Sequence, residues 1–156
     1  MQSEIFMRAA IRLSAKTMRQ NRGGPFGAII VRKGTIIARG FNKVTSANDP
    51  TAHAEVVAIR AACRKLRTFS LKGCEIYCSC EPCPMCLAAI YWARIGKIYF
   101  AATKQDAAQV GFDDGAIYEE ISRPIQKRKI KMTALLRTEA QKVFAEWDKK
   151  PDKVRY

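Results

Sequence analysis

Two short segments of this 156-residue chain carry residue types that together do metal chemistry: His53-Ala54-Glu55 and Pro82-Cys83-Pro84-Met85-Cys86. In a helix starting at the first segment, Val56, Ile59, Cys63 and Leu66 form an apolar stripe at helical steps. His53 lies one step before Val56, and Glu55 one step before Ile59, so both border that stripe at the helix N-terminus. In the second segment Cys83, Cys86, Ile90 and Ala93 share a face. Pro84 suits the first turn there, because its missing N–H is not needed. Thiolates at the positive end of a helix are stabilised, which lowers their pKa. One imidazole and two thiolates make a three-ligand zinc site with a fourth position for water. Zinc brings that water's pKa near neutral, giving a hydroxide nucleophile. Glu55, close by and not needed as a ligand, is placed to move protons from the water to a leaving group.

Two plainer readings stand beside this one. A single histidine is commonly a core or surface residue, but this is the only histidine in the chain and it adjoins Glu55. Cys78, Cys80, Cys83 and Cys86 are an alternative four-thiolate structural site, although such sites usually separate two pairs by a longer loop. Cys63 and Cys74 read as ordinary core residues.

The elements that must position these groups follow from periodicity. Residues 5–19 read as an amphipathic helix with Ile5, Phe6, Ala9, Ala10 and Leu13 inward, stopped by Gly23-Gly24-Pro25. Residues 27–32 and 35–39 read as strands joined by a tight turn at Lys33-Gly34. A polar loop over 42–50 leads to a helix over 52–66. A strand at 75–78, a helix from the Pro- and Cys-rich turn to Arg94, and a strand at 97–101 follow. A short helix over 105–110 precedes a turn at 111–115, then a last strand over 130–136 and a last helix over 139–147. A hairpin followed by alternating helices and strands predicts a three-layer α/β/α sandwich around a mixed five-stranded sheet.

His-x-Glu with Pro-Cys-x-x-Cys is the signature of zinc nucleobase deaminases. The chain resembles the cytidine deaminase superfamily well beyond it, through Gly24-Pro25-Phe26-Gly27-Ala28, Asn42, Asp49-Pro50-Thr51-Ala52-His53-Ala54-Glu55-Val56 and Ser79-Cys80-Glu81-Pro82-Cys83-Pro84-Met85-Cys86. Ala89-Ile90-Tyr91-Trp92-Ala93-Arg94, Gly111-Phe112-Asp113-Asp114 and Tyr156 look most like the small bacterial guanine deaminases. That resemblance implies one zinc per subunit on His53, Cys83 and Cys86, with Glu55 as proton shuttle. It implies a purine bound by Asn42 within a pocket lined by Phe26, Ala54 and Trp92. Asp114 would hold the base and assist the second proton transfer. It also implies a homodimer in which a segment of about 138–156 is exchanged, so that Tyr156 closes the partner's site. The implied reaction is attack at C2 of guanine, releasing ammonia and xanthine.

Length, charge and composition bound the rest. The length fits one domain over 1–156, and 48% hydrophobic residues argue against disorder. No apolar run reaches the roughly 20 residues that cross a bilayer. Met1-Gln2-Ser3-Glu4 lacks the pattern of a signal peptide, so the expected place is the cytoplasm, with reduced thiols. The 28 Lys+Arg against 14 Asp+Glu give +14, and three rival readings stand beside the guanine one. A tRNA adenosine deaminase shares the zinc motif and would use the charge on phosphates, but its loop after the fourth strand ends in Gly-Ser rather than Phe112-Asp113-Asp114. A guanosine deaminase carries a similar Asp-containing pattern. An RNA-binding module with a structural zinc would use the basic run at 123–131, which has no interleaved aromatic residues. The basic residues are dispersed along the chain, which argues against nucleic acid and for a solvated surface.

Overall fold

Gly27–Arg32 (β1) and Thr35–Phe41 (β2) form the expected hairpin, with Arg32 opposite Thr35. Lys33 (φ 48°) and Gly34 (φ 72°) are both left-handed, the turn geometry that matches the twist of the flanking strands. The structure is a computed structural model and describes residues 2–156. Its sheet adds Cys74–Cys80 (β3), antiparallel to β1, and Lys97–Ala102 (β4), parallel to β3, in the order β2-β1-β3-β4. The sheet is mixed, as expected, but has four strands and not five. Residues 130–136 form no strand: they run exposed and unpaired to Leu136, which is left-handed (φ 52°). Alternating apolar residues make a strand only where a neighbour takes up the backbone N–H and C=O groups.

Three layers result. Gln2–Arg19 (α1) covers one face of the sheet, where Phe6 and Ala10 pack with Ile29, Val31 and Tyr77. Ala54–Leu66 (α3) covers the other, and Pro84–Trp92 (α4) packs beside it, enclosing Ala28, Ile30, Ile76, Cys78 and Ile90. Successive residues of β1 and β3 thus enter opposite cores, the period-two pattern of strands buried on both sides.

Two helix faces differ from the periodic reading. In α3 the innermost side chains are Ala54, Glu55, Ala58 and Ala62, while Val56, Ile59, Cys63 and Leu66 are half-buried. The cause is close approach: a Cβ on Gly40 of β2 would stand 2.1 Å from the Ala54 carbonyl oxygen and 2.5 Å from the Ala58 nitrogen. Only small side chains fit that seam, so the larger ones flank it. In α1, Ile5 is exposed and Ser14 and Thr17 are buried instead. Their hydroxyls donate to Ile11, Leu13 and Ser14 carbonyls of the same helix, which removes the cost of burying them.

The remaining helices are Val44–Ala47 (α2), Lys104–Gln109 (α5), Gly115–Ser122 (α6) and Arg137–Lys149 (α7), with a single 3-10 turn at Ile125–Lys127. Neither α2 nor α6 is foreseen by the sequence reading, because each begins inside a segment rich in turn-forming residues. Contacts divide the chain into two units, one ending at Asp114 and one spanning Gly115–Tyr156. Both cores lie in the first. Within the second, no residue is buried, and polar links dominate: Arg123 pairs with Glu119 and Glu120, and Arg128 donates to the Ile121 and Arg123 carbonyls. No helix of the described residues is long and apolar enough to cross a membrane.

Candidate active site

Two helix starts bring the donor atoms together. His53 is the residue just before α3 and Cys83 the residue just before α4, each with extended backbone, and Cys86 lies in the first turn of α4. His53 Nδ1 stands 3.5 Å from Cys83 Sγ and 3.5 Å from Cys86 Sγ. Tetrahedral zinc with ordinary Zn–N and Zn–S bonds places such atoms about 3.6 Å apart. Among the described residues these three form the group of metal-ligating side chains, all within 4.8 Å of one another. Cys78 and Cys80 do not join it. Cys80 Sγ lies 3.6 Å from the Thr103 carbonyl oxygen, so the four-thiolate alternative has no support in the geometry. All six cysteines are free.

Electrostatics make the same group distinct. Cys83 is held as a thiolate, its pKa pulled down to about 4 by the hydrogen bond from Cys86 and by His53. Cys86 is pushed up by that bond to Cys83 and by burial, and the hydrogen bond to Cys83 raises His53. Protons here occupy places that a divalent cation takes over when it binds such donors. Beside them Glu55 is buried, 3.4 Å from the Cys86 thiol that donates to its Oε2. Burial raises its pKa, so this carboxyl is a stronger proton acceptor than an exposed one.

The other sequence-identified residues differ in where the structure places them. Asp114, half-buried, is raised first by burial and then by the Cys83 thiolate, so it belongs to the same cluster of charges. Asn42 is buried, and its Oδ1 accepts from the Gly24 and Val44 N–H groups at 3.2 and 3.1 Å. Gly23 permits this, since a Cβ there would stand 1.9 Å from the Asn42 carbonyl oxygen. With Oδ1 occupied, the Asn42 amide has N–H donors to offer. Ala54 is buried at the start of α3, and Phe26 packs against the core that contains it. Phe26 also meets Phe112 edge-on, ring centroids 4.9 Å apart. Phe112 has no place in the sequence-based site, although it lies two residues before Asp114, which does. Trp92 ends α4 and is 65% exposed, and Tyr156 is exposed in the second unit.

A donor set of this kind, with a buried carboxyl at its side, is a zinc site built for hydrolysis. The profile of the cytidine and deoxycytidylate deaminase zinc-binding region matches residues 1–102, which include all three donors and Glu55. The chain belongs to that deaminase family. As a family member it is a zinc-binding enzyme with the cytidine deaminase-like fold. The guanine deaminase of Bacillus subtilis (strain 168) is 49% identical over 156 residues, covering 100% of both chains. An X-ray structure of guanine deaminase from Bacillus subtilis superposes with a TM-score of 0.95, covering 98% of each chain at 49% identity. The tRNA-specific adenosine deaminase of Aquifex aeolicus (strain VF5) is 37% identical over 150 residues, covering 96% of each chain.

Proposed function

We propose that this deaminase converts guanine and water to xanthine and ammonia. The observation that carries the chemistry is the buried Glu55 carboxyl beside the His53, Cys83 and Cys86 donors. The full-length likeness to a guanine deaminase supports the choice of base. Held by those three donors, zinc supplies the Lewis acidity that makes a water nucleophilic near neutral pH. Glu55 takes a proton from the attacking water and passes it to the base as the oxygen bonds to C2. A second proton, leaving the new C2 hydroxyl as C2=O forms and relayed with the help of Asp114, turns the amino group into ammonia as its bond to C2 breaks. Asn42, with Oδ1 engaged, donates to an acceptor on the base. Phe26, Ala54 and Trp92 line its pocket. The decisive experiment is ammonia release with guanine, guanosine, adenosine, cytosine and a tRNA anticodon stem as substrates. Turnover of guanine supports this reading, whereas catalysis confined to the tRNA overturns it in favour of the rival adenosine deaminase.

The working form in this reading is a homodimer in the cytoplasm, where six unpaired thiols stay reduced. The second unit buries none of its apolar side chains, with Ile121, Phe144 and Trp147 all exposed, so a second copy has surface to cover. In an exchanged arrangement Tyr156 of one protomer closes the site of its partner. Mixing Glu55→Gln protein with Tyr156→Ala protein tests this. Exchange predicts that the mixed dimer regains a complete site and activity above either parent. Without exchange the mixture stays at the mean of its parents.

A further inference from the structure

Between α2 and α3 lies a turn whose only carboxylate is Asp49. We propose that Asp49 is a positioning residue for the metal site: its carboxylate locks the turn that presents His53 Nδ1. The proposal rests on the reading of His53 as a zinc ligand. Asp49 Oδ1 accepts from the Thr51 N–H at 2.8 Å and from the Thr51 hydroxyl at 2.7 Å. Its other oxygen lies 3.5 Å from Arg60 Nη1. Arg60 is seven residues beyond His53, two turns along α3, and so stands on the same side of that helix. The carboxylate therefore fastens the turn to the helix that His53 begins.

Backbone bonds continue the lock to the ligand itself. The Ala52 N–H donates to the Asp49 carbonyl (3.0 Å), the His53 N–H to the Thr51 carbonyl (2.8 Å), and the Val57 N–H to the His53 carbonyl (2.9 Å). From the other side the Lys43 N–H donates to the Ala52 carbonyl at 2.9 Å, tying the turn to the residue after Asn42. His53 faces the thiols through Nδ1, the ring nitrogen nearer the backbone. A displacement of the 49–53 backbone therefore reaches the donor atom almost undiminished. The Asp49–Arg60 pair is largely exposed, and such pairs contribute little. The two bonds to Thr51 are the stronger part of the lock.

The test measures zinc transfer from the loaded protein to a chromophoric chelator, alongside the thermal midpoint of the metal-free protein. Outer partners of metal ligands typically change affinity by about 10- to 100-fold. Asp49→Ala is expected to speed transfer about tenfold with little change in the metal-free midpoint. Asp49→Asn, which keeps an acceptor for Thr51, is expected to stay near wild type, with Thr51→Val between the two. Lowered metal-free midpoints with wild-type transfer rates mean an ordinary structural turn and overturn the proposal. If Asp49→Ala does not fold, the other two variants decide: Thr51→Val releasing zinc faster than Asp49→Asn supports it, and wild-type rates in both overturn it. His53→Ala separates the two layers of the argument. Loss of zinc there with wild-type transfer in the Asp49 and Thr51 variants refutes only this inference, whereas retained zinc in His53→Ala refutes the reading of the site beneath it.

Discussion

Residues up to Asp114 bury Ile29, Ile30, Ile76 and Tyr77 to 2% exposure or less, whereas beyond Gly115 Ile130, Leu135 and Phe144 are 82%, 80% and 72% exposed. The first region is held by side chains packed on both faces of a sheet, and such packing fixes atoms well enough to set a metal site. The second region has helices and apolar residues but no core of its own. Secondary structure alone contributes little stability without a buried face. That contrast places the chemistry of positioning before Asp114, and it motivates the proposal that the later segment is covered by a second copy.

The contrast is sharpest in three truncations, ordered from the core through a helix cap to the surface. Ile30→Ala is expected to lower unfolding free energy by about 2–5 kcal/mol, because Ile30 of β1 is fully buried in the core beneath α3. Urea unfolding measures it, and a loss under about 1 kcal/mol would mean that the sheet is not the stabilising core. Thr103→Ala, at the start of α5, is smaller. Thr103 accepts from the Asp106 N–H while Asp106 accepts from the Thr103 N–H, a reciprocal cap worth about 1 kcal/mol. Leu135→Ala is the smallest, within about 0.5 kcal/mol for the chain alone. A larger loss that grows with protein concentration would show Leu135 covered in a dimer.

The same cap has a pH signature. Hydrogen bonds from the Thr103 backbone and hydroxyl lower the Asp106 pKa below its ordinary 3.8. A carboxyl with a depressed folded pKa stabilises fully above the unfolded value and loses that contribution as pH falls through the folded one. The stability difference between wild type and Asp106→Ala should therefore be constant from neutrality to about pH 4 and shrink below it. A difference that grows in acid contradicts the cap.

Legibility in the sequence followed the same division. The metal donors could be read because His53 and Cys83 each sit one residue before a helix, so spacing alone brings them to buried helix starts. The hairpin was readable from two apolar runs around Lys33-Gly34. The inner face of α3 was not, since its contact residues are alanines and the larger Val56, Ile59 and Leu66 dominate any hydrophobic count. The expected fifth strand is absent for a different reason: the alternation of Ile130, Met132, Ala134 and Leu136 resembles a strand, and pairing is a property of the neighbour rather than of the segment. The pairing of Phe112 with Phe26 is not legible in the sequence, because an edge-on ring contact across 86 residues leaves no periodic trace.

The central claim is that a buried carboxyl beside a zinc donor set carries protons during deamination of guanine. Its most direct test is the guanine turnover of zinc-loaded Glu55→Gln protein, with bound metal and thermal midpoint measured in parallel. The account predicts a fall in kcat of about 10²- to 10⁴-fold with zinc content unchanged. Turnover within about twofold of wild type, at equal zinc content, would contradict it.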